Sequence, residues 1–432
     1  MVFFLSCFSY ILLVILVKEW IVCGNKALTG TIHIDGAKNA LLAILPASIL
    51  TKSIIKLENV TPLQDTYVMI DILKKLNVRV IYDGKSKMLI DARNVKNNDL
   101  LGEEMKKLRA SYYFMGALLG LFKSANVLGP GGCKFSLRPI DIHLKMFDQL
   151  GFEYVINSDL YSFKKTKKIN RVIEFSKVSV GATINAILSS VRINGEVKFI
   201  NVAIEPEVED LINFLNLSGA NIHKNGKNLI IKGVKKMSGC TYAIMEDRIE
   251  AGTHLVIGAC VGRNLEIIYH EKDKLEALIN LLRKIGVKIV ENNERLIVSK
   301  AEDIDDVNLI FDVYPSLPTD LQQPLSILLS KSKKISTLKD NIYPSRYTQV
   351  EDLNKMGFNM RIEDDRLIVY RSKNINGSNL VCRDLRGGAS LVIAALLANG
   401  ESKITNVEHI ERGYYNLLNK LKKVGAKVYE KN

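Results

Sequence analysis

Leu282-Arg283-Lys284-Ile285-Gly286, followed at once by Val287-Lys288-Ile289-Val290, is the phrase from which the fold can be read outward. Leu282 and Ile285 are three residues apart and share one helix face. Gly286 supplies the left-handed conformation that closes a helix C-terminus, and the alternation after it is that of a half-buried strand. The same phrase ends at Asn77, Gly151, Gly219, Gly357 and Gly425, with Asn77 the usual substitute for glycine. The successive intervals are 74, 68, 67, 71 and 68 residues, so the chain repeats itself six times.

Each repeat also opens on a helix start rich in small residues: Gly36-Ala37-Lys38-Asn39-Ala40, Arg109-Ala110-Ser111, Val180-Gly181-Ala182-Thr183, Glu250-Ala251-Gly252-Thr253, Pro318-Thr319-Asp320 and Gly387-Gly388-Ala389-Ser390. Small residues allow helices to approach closely, which places these helices in the centre with sheets outside. The expectation is an α/β chain of six units of about 70 residues, three per domain. The 432 residues fit two such domains, with the cleft between them as the default ligand site. No G-x-G-x-x-G or Walker phosphate loop points to a dinucleotide or P-loop sheet.

Sixty basic residues against 46 acidic ones give a net charge of +14, which favours anionic partners. No basic run is interleaved with aromatics and no zinc finger or RNP motif is present, so nucleic acid is not the expected partner. The six cysteines show no C-x-x-C spacing and the six histidines no i,i+4 pair, so reduced thiols, no metal and a cytoplasmic setting are expected. Residues 1–17 are apolar and uncharged after Met1, with Lys18 the first charge. Such a run is short for a bilayer span and lacks the charged leader and cleavage site of a secretory signal. It reads first as an upstream extension or a misplaced start, with a membrane anchor and a packed structural segment as the alternatives; a strand is expected from about Trp20, and no stable membrane partner.

Leu128-Gly129-Pro130-Gly131-Gly132-Cys133-Lys134 cannot be helix or strand interior and reads as a loop. Lys134, Arg138 and a helix expected to start near Pro139 would favour the Cys133 thiolate. Thr319 and Gln322 have the spacing of a capping box, which would make Asp320 a first-turn acid. Lys38 beside Asn39 could be a surface lysine or the holder of an anionic oxygen. Arg109, Arg138, Arg386 and Arg412 each flank a repeat signature, and arginine is suited to phosphate and carboxylate.

Taken together, these residues resemble the enolpyruvyl transferases. The resemblance runs from about Trp20 to the C-terminus. It rests on Asp35-Gly36-Ala37-Lys38-Asn39-Ala40, Pro130-Gly131-Gly132-Cys133 with Arg138-Pro139-Ile140-Asp141, Ser179-Val180-Gly181-Ala182-Thr183, Asp247-Arg248-Ile249-Glu250-Ala251-Gly252-Thr253, Pro318-Thr319-Asp320, Asp384-Leu385-Arg386 and His409-Ile410-Glu411-Arg412-Gly413-Tyr414. Shikimate-using members carry Lys-Ser where this chain has Lys38-Asn39 and lack the loop cysteine, so the sugar-nucleotide branch is favoured.

The resemblance implies a two-domain fold of inside-out α/β barrels, with residues 18–36 and 247–432 forming one discontinuous domain and 37–246 the other. It implies transfer of enolpyruvyl from phosphoenolpyruvate to the 3′-hydroxyl of UDP-N-acetylglucosamine, without a cofactor. Cys133 would be the general acid and Asp320 the base. Lys38, Arg138, Arg386 and Arg412 would hold phosphate and carboxylate, with Asn39 beside them. Arg109, Pro139, Ile140, Asp141, Ile142, His143, Lys177, Ser179, Val180, Gly181 and Ile342 match substrate-binding positions. Two departures stand out: Pro344-Ser345 precedes Arg346 where the family has Glu-Asn, and Ile204 replaces an arginine. A paralogue that only binds UDP-sugars is the competing reading, and the retained Cys133 and Asp320 argue against it.

Overall fold

The computed structural model describes residues 18–131 and 140–431. Twelve longer helices follow one another as α1 (Lys38–Ala47), α2 (Gln64–Lys75), α3 (Tyr113–Phe122), α4 (Asp141–Gln149), α5 (Val180–Ser190) and α6 (Pro206–Leu217). The second half adds α7 (Arg248–Val261), α8 (Glu276–Lys284), α9 (Gln322–Leu329), α10 (Val350–Lys355), α11 (Leu385–Leu397) and α12 (Leu417–Lys423). Every even-numbered helix ends on the repeated helix-closing phrase. Asn77, Gly151, Gly219, Gly286, Gly357 and Gly425 all have φ between 61° and 102°, the left-handed region that turns the chain into the next strand.

The odd-numbered helices are the buried ones. Every residue of α7 and α9 is buried, and in α5 all but the first. In one half α7, α9 and α11 pack on each other, and in the other α3 packs on α1 and α5. Five four-stranded sheets and one three-stranded sheet lie around them. The four-stranded sheets mix parallel and antiparallel pairs, the three-stranded one is antiparallel, and all remain open, so no sheet among the described residues closes into a barrel. The expected first strand is present at Glu19–Cys23, between Glu401–Thr405 and Lys427–Lys431. Residues 1–17 lie outside the described residues, and among those described no helix is long and apolar enough to cross a membrane.

Two hydrophobic cores result. One gathers apolar residues from 20–34 and 249–428, and the other from 37–245. The chain passes between them twice, and the two passages are tied together. Ala37 N–H donates to the Met245 carbonyl at 2.7 Å, and Asp247 N–H to that of Asp35 at 2.8 Å. Lys420 adds an ammonium between Asp35 and Glu250.

Between helices, close approach is acute at α3 and α5. A Cβ on Gly116 would lie 2.5 Å from Asn185 Oδ1, and one on Gly120 2.2 Å from the Leu188 carbonyl oxygen. Gly116 N–H donates to Asn185 Oδ1 at 3.0 Å, which leaves the amide nitrogen to donate to His143 Nδ1 at 3.0 Å. The neutral His143 ring therefore carries its proton on Nε2. Burial, reinforced by the Arg109 charge, pushes the His143 pKa down to about 3.

Two outcomes follow from this packing. Gly116→Ala should lose ~1–3 kcal/mol in urea denaturation, the usual size of core overpacking; an unchanged midpoint would show that α3 and α5 part freely. Because the folded-state pKa of His143 lies below its unfolded value, its contribution is full above about pH 6.5 and declines as pH falls toward 3. His143→Gln should flatten that part of the curve, read from denaturation midpoints between pH 7 and 4, and an unaltered slope would refute the buried neutral ring.

Candidate active site

A cavity of about 540 Å³ is lined by residues of both cores. Its wall is made largely of helix beginnings. Lys38 and Asn39 open α1, Asp141 to His143 open α4, and Ser179 to Gly181 open α5. Arg248 opens α7, and Leu385 and Arg386 open α11. Helix N-termini carry unsatisfied N–H groups and partial positive charge, which suits anionic ligands. Three of them are capped by a neighbouring side chain. Ser179 accepts from Ala182 N–H, Asp247 from Ile249 and Glu250, and Asp384 from Arg386 and Gly387.

Several charged side chains of the wall are already paired. Asp320 accepts from Arg346 Nη1 at 2.7 Å through one oxygen and from Arg386 Nη2 at 2.9 Å through the other. Asp65 lies 2.7 Å from Lys38 Nζ and 2.9 Å from Arg412 Nε. Arg248 meets Glu207 through Nε at 2.9 Å and Nη2 at 3.2 Å, a bidentate pair buried on both sides. Among the described residues, seven Lys or Arg and seven Asp or Glu line the cavity, so the +14 charge of the chain is not concentrated on these residues. The cations are poised rather than in excess.

Asp320 does not belong to a capping box. Thr319–Leu321 is a short 3₁₀ turn without a side-chain cap, and the Thr319 hydroxyl donates to Asp340 at 2.5 Å instead. The buried Asp340 carboxylate is the stronger acceptor, and its other oxygen takes Ile342 and Tyr343 N–H, both at 2.9 Å. That leaves Asp320, with a side chain 23% exposed, turned to the cavity and its guanidinium partners. Burial works against its charge, but Arg386 and Arg346 outweigh it and hold the carboxyl well below the usual range. Arg386 lies 5.1 Å from the Tyr414 ring centroid, and its Nε and Nη1 make no hydrogen bond among the described residues.

Of the residues singled out in the sequence, Lys38, Asn39, Arg109, Asp141, Ile142, His143, Lys177, Ser179, Val180, Gly181, Asp320, Ile342, Arg386 and Arg412 line this one cavity. Ile140 is buried and precedes α4 without lining it. Cys133, Arg138 and Pro139 lie outside the described residues. Sequence reasoning missed Asp65, Glu205 and Glu207, and left Arg248, Arg346 and Asp384 unassigned although each stood inside a quoted stretch. Asp65 belongs to no motif; only its place in the first turn of α2 gave a local signal, and that signal has an ordinary helix-dipole explanation.

Known proteins carry the same architecture. The model of the EPSP synthase (3-phosphoshikimate 1-carboxyvinyltransferase) family matches residues 22–421. The UDP-N-acetylglucosamine 1-carboxyvinyltransferase of Clostridium botulinum is 40% identical over 409 residues, covering 94% of this chain and 98% of that protein. UDP-N-acetylglucosamine 1-carboxyvinyltransferase 2 of Bacillus subtilis is 39% identical over 410 residues, covering 94% and 95%. Among solved structures, the enolpyruvyl transferase NikO of Streptomyces tendae superposes with a TM-score of 0.87 at 20% identity, covering 96% of this chain and 99% of that one. The match with the family model, the identity with the two relatives and the shared fold place the chain in the enolpyruvyl transferase family.

Proposed function

We propose that this chain transfers the enolpyruvyl group of phosphoenolpyruvate to the 3′-hydroxyl of UDP-N-acetylglucosamine and releases phosphate, the first committed step of peptidoglycan synthesis. The observation that carries the reading is Asp320, which faces the cavity between two guanidinium groups. Relatives that bear this activity in their names, about 40% identical over 94% of the chain, support the choice of acceptor. Residues 18–36 with 247–432 form one domain and 37–246 the other, a division supported by the two cores. The six sheets with their helix pairs are the six repeats, three to a domain. Both substrates are small anionic metabolites of the cytoplasm, where the enzyme works.

The chemistry adds an alcohol across a double bond. The acceptor oxygen bonds to C2 of the enolpyruvyl group while a proton is delivered to C3, and the hydroxyl proton must leave. The C2–oxygen bond to phosphate then breaks and a proton returns from C3. Acid and base must therefore act on opposite partners. Cys133 is the acid at C3 and Asp320 the base at the hydroxyl. A carboxylate held by two arginines is a weak base. When a substrate anion competes for Arg386, with Arg412 and Lys38 holding the other charges, Asp320 recovers basicity where the hydroxyl needs it. Fixed cations also stabilise the charge that develops on the leaving phosphate.

Purified protein should release phosphate from phosphoenolpyruvate only when UDP-N-acetylglucosamine is also present, in a colorimetric phosphate assay. Release with shikimate 3-phosphate but not with the sugar nucleotide would overturn the acceptor. Asp320→Ala should lower kcat by at least ~100-fold, the usual scale of general-base catalysis, while circular dichroism shows a folded protein. A folded variant with full turnover would remove Asp320 from the reaction.

A further inference from the structure

Asp65 is a charged residue of the cavity wall that the proposed chemistry does not use. It lies in the first turn of α2 and is 2% exposed. A helix-terminal acid needs no more explanation than the dipole when it faces solvent, but this one is buried and both its oxygens rest on cations. Its Oδ2 is 2.7 Å from Lys38 Nζ and its Oδ1 2.9 Å from Arg412 Nε. Asp65 and Lys38 belong to the core of residues 37–245, and Arg412 to the segment packed with the other. Arg412 Nη2 also reaches the Lys107 carbonyl at 3.2 Å, and the Lys38 N–H donates to Asp247 at 3.2 Å. One carboxylate thus sets the position of two cations that approach the cavity from opposite sides.

We infer that Asp65 is a positioning residue, which fixes the spacing of Lys38 and Arg412 across the cleft and lowers the net charge of that clamp so that phosphate, once formed, is let go. The inference rests on the reading of Lys38 and Arg412 as holders of the transferring phosphate. Two cations close together with no carboxylate between them would bind a phosphate dianion tightly and release it slowly. With Asp65 in contact, an arriving dianion meets one net positive charge instead of two. Because the carboxylate touches both cations, it also joins the two cores through groups that the substrate engages, which links their approach to anion binding.

The test compares wild-type protein with Asp65→Asn, which keeps the shape and removes the charge. Inorganic phosphate is the probe, used as a product inhibitor of turnover and in calorimetric titration. Asp65→Asn should tighten phosphate inhibition and lower the KM for phosphoenolpyruvate by at least ~5-fold, with kcat reduced by at least ~10-fold, the pattern of a site that holds its ligand too well. Phosphate inhibition, KM and kcat all within twofold of wild type would overturn the inference, as would a variant altered only in melting temperature. If Asp65→Asn does not fold, Asp65→Glu keeps the charge: phosphate inhibition should stay near wild type while kcat falls, and an unchanged kcat overturns the positioning role. Wild-type protein that turns over no phosphoenolpyruvate with the UDP-sugar refutes the proposed function itself; active wild type with an indifferent Asp65→Asn refutes this inference alone.

Discussion

A guanidinium or ammonium withdrawn from water needs a partner, and that requirement shapes the cleft of this protein. Arg386 and Arg346 share Asp320, Lys38 and Arg412 share Asp65, and Arg248 is gripped by Glu207. Removing one member of such a pair costs more than the pair contributes, because the other is left buried and alone. The cavity can therefore hold cations for a polyanionic reaction without carrying a large uncompensated charge while it waits. In the proposed reaction the substrate's carboxylate and phosphate draw on these guanidinium groups, and Asp320, released from Arg386, becomes free to act while Asp65 keeps its cations in place.

The fold brings the pairs together by pointing helix starts at one place. Small residues let α3 and α5 meet so closely that Gly116 leaves no room for a Cβ, and the same closeness fixes the Asn185 amide against His143. Asp247 and Asp384 cap α7 and α11 and so orient Arg248 and Arg386, one and two residues further along the chain. The paired passages at 35–37 and 245–247 join the two cores, with Lys420 clamped between Asp35 and Glu250 beside them. At the cavity Arg412 reaches Asp65, so the segments of the two cores also meet there.

Much of this was legible beforehand, for local reasons. A glycine or asparagine closing a helix before an alternating strand is a signal carried by adjacent residues, and all six such positions adopt positive φ. Lys38, Asp320, Arg386 and Arg412 could be found because short motifs surround them. The sheets proved open where a barrel was expected, since closure depends on strand pairings that no local phrase encodes. Asp320 could be mistaken for a capping acid because the competing acceptor of Thr319, Asp340, lies 21 residues away. Asp65 and Glu207 stayed invisible for the same reason: their importance comes from cations 347 and 41 residues distant in sequence.

The ionisation of Asp320 is the most direct gauge of a cleft that stores its cations on carboxylates and passes them to substrate. Carbon-13 labelling of aspartate, with the Asp320 carboxyl resonance assigned by comparison with Asp320→Asn, allows that group to be titrated with and without phosphoenolpyruvate. The carboxyl should titrate well below the ordinary carboxylate range in the protein alone and rise when the ligand saturates the cleft, as Arg386 turns to the new anion. A carboxyl that titrates normally in the protein alone, or that does not move on saturation, would contradict the exchange of partners.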